Sequence, residues 1–289
     1  MLPIEALKSR TTILTHNGCA DGAAAAMIAK AALPHCEVRA FYYDDPEYLN
    51  LPATPGILAV DITPPAHRAA EFAAVGTMVC DHHSKDLVTP YGDLGIWGDS
   101  KRGESGAWLA YYEVFRPLMG QHSEFCEVAQ LSAIYDTWKT EVPGWKAACH
   151  LAALLQTVPL AWCLNVPAYV VLQQAADLGA ALHTAKAAAA AKTSARAVHR
   201  RIAGRNVAIV PTTSVNLVEV PEADIIAGFK YQSGSPRVKW SLRSQTVNVA
   251  TIARRHGGGG HPGGATGGFF VADDGRSPYA MAETLFAEP

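Results

Sequence analysis

Through the first half of the chain, unbroken apolar runs of strand length alternate with Ala-rich stretches in which apolar positions recur every three or four residues. A short apolar run bounded by polar or turn residues reads as a buried strand, and the three-and-four spacing reads as a helix packed on one face. Strands are predicted over 11–15, 38–43, 57–62, 78–81 and 94–97, and helices over 21–32, 65–74, 104–115 and 124–139. Such alternation builds an α/β domain around a mostly parallel sheet, because parallel neighbours need a helical crossover between them. Residues 175–201 are Ala-rich, with Lys186, Lys192, Arg196, Arg200 and Arg201 spaced along them, which predicts a solvated helix joining two lobes. Strands return at 206–210 and 237–242, followed by a helix at 249–256. The expected division is therefore a first domain over 1–180, a connecting helix over 181–204 and a smaller α/β domain over 205–289.

A chain of 289 residues is long enough for two cores. Residues 151–172 carry no charge over a span that could cross a bilayer, but Pro159 and Pro167, with Gln156 and Asn165, divide it into packed helices. A net charge of -2 lacks the basic excess of a protein that grips long duplexes, while a small anion in a local basic pocket stays compatible. The six cysteines, at 19, 36, 80, 126, 149 and 163, show no CxxC spacing, and no export signal stands at the amino terminus. They read as reduced thiols of a cytoplasmic protein.

The chemistry gathers where predicted strands end. Asp81-His82-His83 closes the apolar run 75–80, His16 and Asp21 follow the first strand, Asp61 follows the third, and Asp136 sits in an apolar helical stretch. In parallel sheets, ligands collect beyond the carboxyl ends of the strands, so these side chains would meet in one cleft. Singly, each has an ordinary reading: His16 as a hydrogen-bonded strand end, Asp21 as a helix cap, Asp61 as a cap before Pro64-Pro65. Jointly they form a carboxylate and imidazole set for a divalent ion, with Mn²⁺ the first choice, Mg²⁺ the second and Zn²⁺ the third. A second signal is the run Gly257 to Gly260 followed by His261-Pro262-Gly263-Gly264. Folded sequence flanks it on both sides, so the glycines read as a close backbone approach to a ligand and not as a linker. Arg243 and Ser244, at a predicted strand exit, suit a phosphate or carboxylate.

These motifs together resemble the DHH phosphoesterases that carry a C-terminal DHH-associated (DHHA1-type) domain. His16 to Gly22, Val60-Asp61, Asp81-His82-His83 and Tyr135-Asp136-Thr137-Trp138 are similar to the family's four ordered motifs. Ser241-Leu242-Arg243-Ser244 and Gly258-Gly259-Gly260-His261 resemble the substrate-binding signatures of the associated domain. The resemblance implies a two-metal, usually Mn²⁺-dependent phosphoesterase with Asp61 bridging the ions. Asp21, Asp61, His82 and Asp136 would hold one metal, and His16 with Asp61 the other. Asp61, Asp81 and His83 form the expected catalytic set, and His83, Arg243, Ser244, Gly258, Gly259, Gly260 and His261 the substrate-binding set. One departure stands out: where the fullest first motif has a further aspartate, this chain has Cys19, a poor partner for Mn²⁺ or Mg²⁺. The preferred reading makes Cys19 a structural residue packed beside the site and leaves occupancy of the second metal open, with Asp44 or Asp45 as substitute donors.

The leading functional expectation is a phosphodiesterase that trims very short oligonucleotides to mononucleotides, of the nanoRNase type, with a homodimer compatible and no membrane or long-duplex partner. The alternatives are a pAp-type phosphatase, a linear or cyclic dinucleotide phosphodiesterase and a non-catalytic nucleotide sensor. A RecJ-like processive nuclease and a pyrophosphatase rank lower, the first for want of a basic track and an additional oligonucleotide-binding barrel, the second because its second domain lacks the Gly-rich His signature.

Overall fold

The computed structural model describes residues 1–43, 45–212, 215–231, 237–261, 263–270 and 277–286. The chain divides into two compact units, Met1–His183 and Thr184–Pro289.

The first unit is built on five parallel strands, β1 (Thr12–His16), β2 (Glu37–Phe41), β3 (Ile57–Val60), β4 (Met78–Asp81) and β5 (Gly95–Trp97), in the order β2-β1-β3-β4-β5. From β1 the chain steps outward to β2 on one side, then crosses back to β3 on the other. The connections leaving β1 and β3 therefore run in opposite directions and open a crevice at their carboxyl ends, where ligands bind in sheets of this topology. The residues β3 contributes, Ile57 to Val60, are fully buried, as a strand covered on both faces requires.

The helix Ala20–Ala32 follows β1 and is buried almost all round. Its alanines keep it thin enough to lie between the sheet and the helices Ser123–Asp136 and Gly106–Leu109, and Met27 and Ile28 fill the remaining gaps. The uncharged stretch is divided among the end of Trp145–Leu155, all of Leu160–Asn165 and most of Ala168–Gln174, with Pro159 and Pro167 at the N-caps of the last two. Among the described residues no helix is long and apolar enough to cross a membrane.

Several boundaries differ from expectation, most by one to three residues, and two of the differences have a clear cause. The helix predicted from 104 starts at Gly106, because Ser105 caps it by accepting the Trp108 N–H. The Ala-rich helix runs Ala180–Ser194 and stops there, and Arg200 and Arg201 lie instead on a strand, β6 (Val198–Ile202). That strand pairs on one side only, with β7, so its polar residues face solvent and its sequence looks helical rather than extended.

The second unit is a six-stranded sheet of β6, β7 (Arg205–Val210), β8 (Ile225–Tyr231), β9 (Arg237–Arg243), β10 (Gly259–His261) and β11 (Gly264–Phe270), in the order β10-β11-β9-β8-β7-β6. Only β7 and β8 are parallel. Trp240, Leu242, Val207 and Phe229 form its core with residues of the helices Val249–Arg255 and Pro278–Phe286.

Candidate metal centre

The crevice between β1 and β3 collects seven ionisable residues of the first unit. His16 ends β1, Asp61 follows β3, Asp81 ends β4 with His82 and His83 just beyond, Asp21 lies in the first turn of Ala20–Ala32, and Asp136 ends Ser123–Asp136. His82 is the hub: its Nε2 lies 3.2 Å from Asp61 Oδ1, 3.4 Å from Asp136 Oδ2 and 3.7 Å from Asp21 Oδ2. On the other side of Asp61, Oδ2 faces His16 Nδ1 at 3.9 Å. Cys19 joins that side, so that ligand atoms of His16, Cys19 and Asp61 lie within 4.8 Å of one another. Cys19 is thus brought among the donors instead of being packed beside them. Asp45 accepts the Tyr42 N–H at 2.8 Å, a local turn contact, and Asp44 lies outside the described residues.

Asp21 and Asp61 are each held in place by their surroundings. Asp21 Oδ1 accepts the hydroxyls of Ser105 and Ser132, both at 2.7 Å, and Asp21 Oδ2 accepts the Ala107 N–H at 3.2 Å. Asp61 is fully buried and adopts φ +57, a left-handed backbone that costs a residue with a side chain roughly 1 kcal/mol and that Asp and Asn tolerate best. Gly106 and Gly22 make room for it: a Cβ on Gly106 would stand 2.3 Å from Asp61 Cβ, and one on Gly22 would stand 3.1 Å from Asp61 Oδ2. Sequence reading missed Ser105, Gly106 and Ser132, since nothing but an ordinary capping serine marks them before the fold brings them to Asp21 and Asp61.

Asp81 is buried and engages the two histidines that follow it. Its Oδ1 accepts the His82 N–H at 2.8 Å and lies 2.7 Å from His83 Nδ1, and its other oxygen accepts the Thr63 hydroxyl. Thr63 is held in turn through its carbonyl by the Tyr48 hydroxyl. Tyr43 packs its ring on both His16 and His83, at centroid separations of 4.9 and 5.7 Å.

The electrostatics follow from burying three carboxylates, Asp21, Asp61 and Asp81, beside the half-buried Asp136. Burial, and then the charges of Asp21, Asp136 and Asp81, drive the Asp61 carboxyl well above its usual range, with His83 pulling the other way. Burial works against ionisation of Asp81 too, but the charge and hydrogen bond of His83, with His82 and Thr63, outweigh it and hold that carboxyl below its usual range. Burial would lower His83, yet Asp81, Asp61 and Asp136 together push it up to about 10. Burial and the neighbouring His83 bring His16 down to about 4, a neutral imidazole with a lone pair to donate. Burial and the nearby Asp61, Asp136 and Asp21 raise the Cys19 thiol. His16 Nδ1 and Asp61 Oδ2 are buried without a hydrogen-bond partner. Buried polar atoms left unsatisfied cost about 1–3 kcal/mol each, so a neutral His16 imidazole beside crowded carboxylates, with two orphaned atoms, fits cations well. Among the described residues three donor groups form: Asp21, His82, Asp136; His16, Cys19, Asp61; and Asp61, Asp81, His82, His83, with Asp61 Oδ1 turned toward His82 of the first and Oδ2 toward His16 of the second.

In the second unit, Arg243 ends β9 opposite Gly264 of β11, and its guanidinium lies where a side chain on Gly264 would be. Ser244, expected to meet a ligand, serves the local backbone. Its hydroxyl donates to the Asp224 carbonyl at 2.6 Å and accepts the Val247 N–H at 2.8 Å, closing the turn before Val249–Arg255. Gly258 and Gly260 are also explained by packing. A Cβ on Gly258 would meet the Trp240 ring at 2.7 Å, and Gly260, at φ +136, lies against Gly264 and Ala265. Gly259 alone of the three has open space beside it. His261 lies on β10, with its side chain outside the described residues, and Pro262 is outside them altogether.

No family model matches the chain and no curated protein is similar in sequence. Solved structures are similar in fold. The DHH domain of a protein assigned to a family of ribosomal proteins superimposes with a TM-score of 0.61 at 14% identity, over 97% of this chain and 88% of that one. A pGpG-specific phosphodiesterase from Vibrio cholerae gives 0.54 at 13% identity, over 96% and 99%. RecJ from Thermus thermophilus, in complex with Mn²⁺, gives 0.52 at 18% identity over 98% of this chain, which spans 55% of RecJ.

Proposed function

We propose that this chain, which has the fold of the DHH-domain proteins, is a divalent-cation-dependent phosphodiesterase that cleaves very short oligonucleotides. The observation that carries the reading is the placement of Asp61, buried between two donor groups with one oxygen turned to each and Oδ2 unpartnered. Asp21, His82 and Asp136 would hold one cation, His16 and Cys19 the other, and Asp61 would bridge them. When bound, such ions supply Lewis acidity toward phosphoryl oxygens and make a water easier to deprotonate. Mn²⁺ is the first ion to try and Mg²⁺ the second.

The chain's own residues do the rest. Asp81 engages His83 Nδ1 and keeps the ring protonated, so His83 would donate from Nε2 to a phosphoryl oxygen as negative charge builds on it. Asp81 would take part in catalysis by orienting both histidines. Ser105 and Ser132 fix the Asp21 carboxylate so that it need not reorganise during the reaction. Arg243 can take a phosphate through its planar fork, and the Gly259 backbone has room for close approach by a ligand.

A linear dinucleotide is the reading favoured next, since the similar Vibrio cholerae protein is a pGpG-specific phosphodiesterase. The deciding experiment incubates the protein with Mn²⁺ and labelled oligonucleotides of two to twenty nucleotides, pGpG, pAp and a cyclic dinucleotide. Fastest release of mononucleotides from the shortest oligomers supports the proposal, and pGpG far ahead of other dinucleotides narrows it. Phosphate release from pAp alone points to a phosphatase. No turnover with any substrate, although cations bind, points to a nucleotide sensor.

A further inference from the structure

We infer that the centre is heterometallic: the His16, Cys19 and Asp61 position takes a thiophilic divalent cation of the Zn²⁺, Co²⁺ or Fe²⁺ class, and the Asp21, His82 and Asp136 position takes a hard one. The inference rests on the metal-centre reading above and goes past it to which cation each half selects. Its first support is geometric, because the nitrogen, sulfur and oxygen ligand atoms of the three residues all lie within 4.8 Å of one another.

Its second support is what those atoms do otherwise. Cys19 occupies the N-cap of Ala20–Ala32 in an extended conformation, φ -108 and ψ 138, yet its side chain makes no capping hydrogen bond. The Gly22 N–H lies toward the sulfur and favours its thiolate form. Asp61 is completely buried with Oδ2 unpartnered, and His16 Nδ1 faces it, likewise buried and unpartnered, at 3.9 Å. One cation between these atoms satisfies both and is within reach of Sγ.

The two donor groups differ in softness. Asp21, Asp136 and Asp61 offer carboxylate oxygens around one imidazole, a set suited to Mg²⁺ or Mn²⁺. The other group replaces one oxygen by sulfur, and thiolates favour Zn²⁺, Co²⁺ and Fe²⁺ over the hard ions. On coordination the Cys19 thiol gives its proton to solvent, and the sulfur electron pair enters the metal bond without any change of oxidation state.

Titration of chelator-stripped protein with Co²⁺ tests this without recourse to activity. The wild type is expected to develop a thiolate-to-Co²⁺ charge-transfer band in the near ultraviolet. Cys19→Ser should lose the band and keep the visible absorption of Co²⁺ at the other position, whereas Asp136→Asn should keep the band. In competition, one of two bound equivalents should prefer Zn²⁺ over Mn²⁺ by about tenfold or more, and Cys19→Asp should erase that preference. Co²⁺ bound by the wild type without the band overturns the inference alone, as does a band that persists in folded Cys19→Ser protein. Failure of the wild type to bind any Co²⁺ overturns the inference and the metal-centre reading together.

Discussion

The space that a Cβ at position 106 would need is already taken by Asp61, whose own Cβ lies 2.3 Å from it and whose Cα lies 2.7 Å from it. The contact joins the amino end of one helix to the backbone that follows β3, so neither side can yield by a simple rotamer change. Gly106→Ala is expected to shift Asp61 off both donor groups while leaving the rest of the fold in place. Overpacking of this kind costs about 1–3 kcal/mol of stability, and misplacing a bridging ligand lowers turnover by roughly a hundredfold. Calorimetric metal titration beside kinetics checks it. Unchanged stoichiometry with unchanged turnover would show that Asp61 does not bridge.

Asp61→Asn separates charge from shape, because Asn also tolerates the left-handed backbone. The folded pKa of Asp61 lies above its unfolded value, so in metal-free protein its ionisation opposes folding: the penalty is absent below the ordinary carboxylate range and grows as pH rises toward the folded pKa. The chelated variant should therefore melt higher than chelated wild type, with a gap that widens as pH rises above the ordinary carboxylate range, while turnover with Mn²⁺ falls by about a hundredfold or more. A variant that melts lower at every pH would mean that the carboxylate is satisfied without a cation.

Asp-His-His at the end of β4 and Asp61 after β3 were legible because apolar runs mark where buried strands stop, and the sheet order then carries them to one crevice. What supports them was not. Ser105 and Ser132 reach Asp21 across 84 and 111 residues of sequence, and a serine before a helix looks the same whether it caps or also holds a carboxylate. In the second unit β6 is Val-His-Arg-Arg-Ile, whose exposed middle gives no strand alternation, and β11 is so rich in glycine that its pairing with β9 and β10 is what makes it a strand. Ser244 carries a second, local job that sequence does not reveal: its hydroxyl ties the Asp224 carbonyl to the Val247 amide.

Substrate length should matter in a particular direction. With a net charge of -2, each nucleotide beyond those in the site adds repulsion or nothing to binding. Turnover per molecule is expected to be highest for dinucleotides to pentanucleotides and to change little with salt, since few counterions are released. Measured kcat/KM across a length ladder at two salt concentrations checks this. A rate that climbs with length and collapses with salt would identify a long-strand nuclease instead.

Arg243 and Gly264 make a matched pair, because the Arg243 Nη1 lies 1.2 Å from where a Cβ on Gly264 would be. The obstructing atom is the far end of a flexible side chain, so Gly264→Ala should keep the β9 to β11 pairing and simply push the guanidinium aside. If Arg243 holds a substrate phosphate, Arg243→Ala and Gly264→Ala should each raise KM by about tenfold or more, a charge-assisted hydrogen bond being worth about 1.5–3 kcal/mol. Neither should change cation stoichiometry, since every proposed cation ligand belongs to the first unit. The double variant should be no worse than Arg243→Ala alone, because moving a guanidinium that has been removed costs nothing further. Additive losses would mean that Gly264 acts through its own backbone, and wild-type kinetics in Arg243→Ala would remove the arginine from substrate binding.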